Sequence, residues 1–360
     1  MRLLLTTDAV GGVWTYTAEL ARGLPRHGIE VVLAVLGPEP GEDQARDIDR
    51  LDGVRLLRTG LPLDWLSDEA ATRRAGEALA GIAKRERADL VHLNAPALAA
   101  WRPFDVPVIA VAHGCVTTWW EAAKAEPLAP EFRWHAEAMA KGLSAADLTI
   151  APSASHAATI RRRYDLRTSP AVVANGRDVA LPPTPEAPRA EALTVGRLWD
   201  PVKQAALLDA VAATLACPFA AAGATVGPHG ESVALSHLDV LGTLTQPELA
   251  LRLARRPVFV SAATFEPFGL AVLEAASAGC ALVLSDISTF RELWEGAARF
   301  VPADDPGAFA GVIARLLADP GERARLGDAA RARAGRYTGA AMCAAMAGHY
   351  RAVLARRAAA

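Results

Sequence analysis

The stretch FVSAATFEPFGLAVLEA, residues 259–275, reads as strand, loop and helix. FVS is a short apolar run, and LAVLEA has helical character. Glu266 falls in the loop. Pro267 suits the first position of a helix, and Gly269 lets a ligand come close to the backbone. The amides of Phe268, Gly269 and Leu270 then point out of a helix start, which attracts anions. Glu274 lies eight positions after Glu266, and eight helical residues rise roughly 12 Å. That span matches a sugar, a diphosphate and a ribose in a row. Two carboxylates at its ends suit hydroxyls, with amides between them for phosphate. The plainer alternative is a helix start with one capping and one solvated glutamate.

Upstream, TVGRLWDPVKQ (residues 194–204) ends a strand at Gly196 and places Arg197 and Lys203 just beyond it. Arginine offers a fork of donors and lysine a movable point charge, a pair able to clamp a diphosphate and neutralise it as it departs. Near the N-terminus, TTDAVGGV carries Gly11 and Gly12 between a first strand and a helix, where backbone amides meet phosphate. It is not G-x-G-x-x-G, and the second strand, residues 31–36, ends without an acidic residue. A nicotinamide dehydrogenase is therefore disfavoured. His113 follows a strand at residues 106–112 and is placed to donate to a sugar hydroxyl or to developing charge.

Around these pieces strands and helices alternate. Strands are expected at 2–7, 30–36, 54–58, 90–93, 106–112, 147–151 and 171–174. After a break they resume at 192–195, 218–222, 258–261 and 281–284. Helices are expected at 13–27, 69–87, 131–145, 201–214, 269–278 and 306–318, and Ser153 is expected to cap another ending at Tyr164. Such alternation gives parallel sheets covered on both faces. The 360 residues suit two domains. The best linker is 181–188, which carries four prolines. The expected division is 1–180 plus a terminal helix at about 338–360, and 190–337. In the terminal helix Met342, Met346, Tyr350 and Val353 or Leu354 form one apolar stripe.

Composition narrows the classes. Hydrophobic residues are 52% and charged residues 22%, which excludes general disorder. A net charge of −2 argues against nucleic-acid binding by bulk charge. Cys115, Cys217, Cys280 and Cys343 show no zinc spacing and read as small buried hydrophobes in a reducing compartment. The N-terminal apolar run is too short for a signal peptide, and no run of 18 apolar residues occurs, so a cytoplasmic protein is expected.

Together GRLWDPVK and EPFGLAVLEAASAGC, with VANGRD (173–178), APSAS (151–155) and Arg291-Glu292-Leu293, resemble the GT-B glycosyltransferases of family 4. The resemblance covers nearly the whole chain. It implies two Rossmann-like α/β domains facing across a cleft, with the last helix crossing back to the first domain. It implies retaining transfer of a hexose from a nucleotide diphosphate sugar, uridine being favoured over guanosine, to an acceptor hydroxyl. On this resemblance Arg197, Lys203, Glu266 and His113 form the catalytic set. Gly11, Gly12, Phe268, Gly269, Leu270 and Glu274 bind the donor. VANGRD lacks a proline common before Asn-Gly in the family, with no functional consequence expected.

On the acceptor side Asn94, Thr117, Trp119, Trp120 and Lys124 follow first-domain strands, and the two tryptophans suit stacking on a sugar or apolar group. The acceptor is a saccharide, lipid or small molecule. Arg161–Arg163 suit a peripheral contact with anionic lipid heads, or are simply solvated. No metal or other cofactor is expected. Asp47-Ile48-Asp49 matches the metal-binding DxD of GT-A enzymes, but it sits in a charged stretch without strand character. Alternatives are a nucleotide-sugar 2-epimerase of similar architecture and a non-catalytic nucleotide-sugar-binding subunit.

Overall fold

Residues 2–7, expected as a buried strand, lie within β1 (Arg2–Asp8), whose five central residues are all buried. A computed structural model of the protein describes residues 1–182, 187–228 and 230–359. The first sheet continues with β2 (Glu30–Leu36), β3 (Val54–Arg58), β4 (Leu90–Leu93), β5 (Val108–Val111), β6 (Leu148–Ala151) and β7 (Ala171–Val172). Its order is β3-β2-β1-β4-β5-β6-β7, every pairing parallel. β2 and β4 flank β1, with Leu4 opposite both Val32 and Val91. Strands buried on both faces need continuous aliphatic runs, as LLL and VVLAVL supply.

The second sheet holds β8 (Ala192–Val195), β9 (Phe219–Ala222), β10 (Asp239–Gly242), β11 (Val258–Ser261), β12 (Leu282–Ser285) and β13 (Arg299–Val301). Its order is β10-β9-β8-β11-β12-β13, again parallel. In both sheets the chain moves outward from the first strand, then returns to build on its other side. The order therefore reverses between β1 and β4, and between β8 and β11. Ligands of open α/β sheets bind beyond the carboxyl ends of the strands at such switch points.

The chain divides into two units, Met1–Gly176 with Gly339–Ala360, and Arg177–Thr338. It passes between them at Gly176–Arg177, directly after the Asn175-Gly176 pair, and again at Thr338–Gly339. Of the proline-rich segment expected as the linker, residues 183–186 lie outside the described residues. The last helix, Gly339–Ala358, belongs to the first unit. Its stripe of Met342, Met346, Tyr350 and Val353 is buried in one core with Leu3, Leu5, Tyr16, Leu20 and Leu33.

Several local expectations change. The helix expected at 201–214 is a 3₁₀ turn, Pro201–Lys203, a left-handed Gln204 (φ 55°) and a helix Ala205–Ala212. The helix expected from Gly269 starts at Leu270 and ends at Ser277, with Gly269 as its left-handed cap (φ 93°). Pro267 therefore lies in the loop and not at the first helical position. Asp47 and Asp49 are exposed on a helix, Glu42–Asp49, which buries Ala45 and Ile48. They stand at no strand end. Cys115 is not a plain apolar filler: it caps the helix Val116–Ala123, and its Sγ lies 2.9 Å from the Tyr164 hydroxyl. Cys217 is also only half-buried, whereas Cys280 and Cys343 are buried as expected. Ser153 caps its helix as expected, accepting from the His156 amide at 3.1 Å.

Candidate active site

In the second unit the loops after β8 and β11 flank the switch point. A backbone bond joins them: the Thr264 amide donates to the Val202 carbonyl at 2.9 Å. The loop after β8 is also tied to the end of β9, where Gly196 N–H donates to Ala222 O at 3.0 Å. Asp200, 1% exposed, caps the 3₁₀ turn that presents Lys203. Lys203 and Glu266, which the sequence assigns to separate tasks, meet: Lys203 Nζ donates to Glu266 Oε2 at 2.6 Å, each side chain one-fifth exposed. An ammonium carries three protons. One holds Glu266, leaving two for another oxygen ligand. Arg197 stands closer to solvent, half-exposed, donating to Asp200 Oδ2 at 2.7 Å and packed near the Trp199 ring.

The helix Leu270–Ser277 begins beside Glu266. By helix geometry the amides of Gly269, Leu270, Ala271 and Val272 have no carbonyl partner within it, and the first intrahelical bond runs from Leu273 N–H to Gly269 O. The amide set thus shifts toward Leu270–Val272. Phe268 precedes the cap, and its ring is buried edge-on to Tyr337. The ~12 Å helical spacing of the two glutamates does not apply either, because only the part from Leu270 to Glu274 is helical.

Glu274 is buried, not solvated, and forms an ion pair with Arg177. Arg177 also donates to Gln246 Oε1. The sequence quotes Arg177 only as part of the VANGRD turn. Its signal was available, since a cation in the segment that enters the second unit has a nearby carboxylate to find. Replacing Arg177 by methionine leaves a buried carboxylate without its cation. The expected result is a loss of about 3 kcal/mol or more in stability, checked by urea unfolding.

In the first unit Gly11 and Gly12 are exposed at the start of the helix Gly12–Gly23, beyond β1. Asn94 stands beyond β4, at the same switch point. Its amide Nδ2 donates to Thr6 O at 2.5 Å, and its own N–H donates to Thr6 Oγ1 at 2.9 Å. Its Oδ1 faces His113 Nε2 at 2.8 Å and His92 Nε2 at 3.2 Å. His92 Nδ1 lies 2.8 Å from the Tyr350 hydroxyl of the last helix. Tyr16 packs edge-on to His113, 4.5 Å between centroids. Asn94, expected on the acceptor side, thus has its carboxamide taken up between β1 and two histidines.

The remaining acceptor-side residues divide. Thr117 is 1% exposed, behind the surface of its helix, and presents no hydroxyl to solvent. Trp120 packs on Phe132 and donates Nε1–H to Glu126 O at 3.0 Å, so its face is partly occupied. Trp119 is half-buried edge-on to Trp120, and Lys124 is exposed at the helix end. Among the described residues no cluster of three or more His, Cys, Asp or Glu is placed to hold a metal ion, and no helix is long and apolar enough to cross a membrane.

Burial holds both His92 and His113 at a pKa of about 3, well below the usual 6.5. Below pH 6.5 the unfolded chain takes up protons that folded His92 refuses, so stability falls as pH falls from 6.5 toward 3. For His92, fully buried, the slope is about 1.4 kcal/mol per pH unit. Urea midpoints at pH 7 and pH 5 should show the loss, and His92→Gln should flatten it. An unchanged slope in that variant would sink the assignment.

Comparison with solved structures places this architecture. Sucrose-phosphate synthase from Thermosynechococcus elongatus superposes with a TM-score of 0.82 at 20% identity, over 99% of this chain and 100% of that one. The Anabaena HepE protein in complex with UDP-glucose gives 0.75 at 16% identity, over 98% and 100%. The fold is that of the GT-B glycosyltransferases. Two family models also match, Glycosyltransferase Family 4 over residues 10–181 and Glycosyl transferases group 1 over residues 232–333. The chain belongs to the family 4 glycosyltransferases. Among curated relatives, glycogen synthase of Mycobacterium tuberculosis (strain CDC 1551 / Oshkosh) is 27% identical over 92% of this chain and 90% of its own length. D-inositol 3-phosphate glycosyltransferase of Xylanimonas cellulosilytica is also 27% identical, over 92% and 89%.

Proposed function

We propose that the protein moves a hexose from a nucleoside diphosphate sugar to an acceptor hydroxyl, with retention at the anomeric carbon and without a metal. The observation that carries this reading is the Lys203–Glu266 pair at the β8–β11 switch point, beside a helix start and Arg197. Lys203, Arg197 and the Gly269–Val272 amides meet the diphosphate. Glu266 accepts from sugar hydroxyls and Glu274, held by Arg177, from the ribose. The bond from the anomeric carbon to the diphosphate oxygen breaks, the acceptor oxygen bonds on the same face, and its proton passes to the departing diphosphate. The two cations replace a metal by offsetting the charge that grows on the leaving group.

Uridine is the favoured base, supported by the UDP-glucose complex of the structurally similar Anabaena protein. A sugar or polyol hydroxyl is the favoured acceptor, in keeping with the names of the two curated relatives. The protein acts in the cytoplasm.

The test is a panel of nucleotide sugars scored by nucleotide release, with and without saccharide and polyol acceptors, in excess EDTA. Acceptor-dependent release that survives the chelator, with an anomer matching the donor's, is expected. An inverted product overturns retention. An altered free sugar without acceptor points to a 2-epimerase, and tight binding without release to a non-catalytic subunit.

A further inference from the structure

Asn94 joins two histidines through a single oxygen, and the orientation of its amide is not arbitrary. Thr6 O, a backbone carbonyl, only accepts. The Asn94 atom 2.5 Å from it must therefore be the NH₂ group, which turns Oδ1 toward the rings. Oδ1 also only accepts, so both histidines meet it with a proton on Nε2. A neutral imidazole carries one proton, and its other nitrogen is then an acceptor. For His92 that nitrogen, Nδ1, accepts a hydrogen bond from the Tyr350 hydroxyl at 2.8 Å. Tyr350 is itself fully buried on the last helix, so its hydroxyl has every reason to donate.

We propose that Asn94 fixes His113 as the neutral tautomer protonated on Nε2, so that His113 offers Nδ1 to substrate solely as a hydrogen-bond acceptor. Asn94, His92 and Tyr350 are positioning residues for this nitrogen. The sequence expectation that His113 donates to a sugar hydroxyl or to developing charge is thereby reversed: His113 accepts a hydrogen bond from a hydroxyl, and the leaving group finds its donors elsewhere. Burial, which keeps both rings uncharged near neutral pH, supports the assignment. That the group presented to Nδ1 is a substrate hydroxyl rests on the transferase reading above; the tautomer itself does not.

The test is the ¹⁵N spectrum of histidine-labelled protein at pH 7, with the two rings assigned through His92→Gln and His113→Gln. Both rings are expected protonated on Nε2 and bare on Nδ1. A His113 protonated on Nδ1, or on both nitrogens, overturns the proposal. In Asn94→Ala the His113 signal should become a tautomer mixture, and kcat should fall about tenfold with a smaller change in donor KM. Unchanged spectrum and rate would remove Asn94 from the role. In Tyr350→Phe, a near-isosteric change, the His92 signal should become mixed, and an unchanged one would remove Tyr350. If the spectra are as expected but no nucleotide sugar is turned over, the transferase reading fails and the network stands. If transfer occurs with His113 protonated on Nδ1, the network fails alone.

Discussion

Replacing Lys203 by alanine should lower kcat on the order of 10²-fold or more at saturating donor, as removal of one oxyanion donor does elsewhere. The lysine has two tasks that fail together. Its Nζ stands 2.6 Å from Glu266, so its loss unfastens the carboxylate assigned to the sugar. Its charge is also the one best placed to meet a departing diphosphate, because Arg197 is half-exposed and already engaged with Asp200. Stability should fall too, by about 1–3 kcal/mol, because the pair is four-fifths buried and Glu266 is left without its cation, so the rate is read on folded protein. Lys203→Arg should recover only part of the rate, since a planar fork does not reproduce a compact ammonium. A turnover within threefold of the parent would refute the role.

The second large effect is expected from Gly223→Ala. Gly223 follows β9 with φ 140°, and an added Cβ would stand 1.7 Å from the carbonyl oxygen of Gly196 and 2.9 Å from its carbon. The obstacle is backbone, which cannot rotate away like a side chain. Gly223 also donates its N–H to Gly242 O at 2.8 Å, so the loop is tied on its far side. Either the loop after β8 moves or the sheet end opens. The expected loss is about 3 kcal/mol or more, at the upper end for overpacking. Since Gly196 leads directly into Arg197, the folded fraction should also lose donor affinity. Urea unfolding and donor titration on one preparation check both halves. A variant as stable as its parent would show that the close approach is not real.

How far this was legible in the sequence differs by scale. The alternation of aliphatic runs with helical periods gave the architecture, because strands buried on both faces leave no choice of residue type. β8 and β11 fall at their expected residues. β10 and β13 escaped notice for a physical reason. Both are sheet edges, β10 is half-exposed along its length, and β13 has only three residues. The helix Gln246–Ala254 carried a signal left unread, the capping box of Thr245 and Glu248.

At the site, residue types were legible and partnerships were not. Arg197, Lys203, Glu266 and Glu274 stand out by spacing. That Lys203 holds Glu266, and Arg177 holds Glu274, depends on tertiary packing that no local pattern encodes. Asn94 shows the same limit in reverse. Its place after a strand suggested a residue open to ligand, yet its neighbours in space already use every polar atom of its side chain.

The helix Gly339–Ala358 has a consequence for biogenesis. The first unit is discontinuous, and its core is incomplete until Met342, Met346 and Tyr350 have left the ribosome. The second unit, one unbroken span, has no such wait. The half of the protein that is synthesised first is thus the half that matures last, and during elongation its exposed sheet face is the part that most needs chaperone cover.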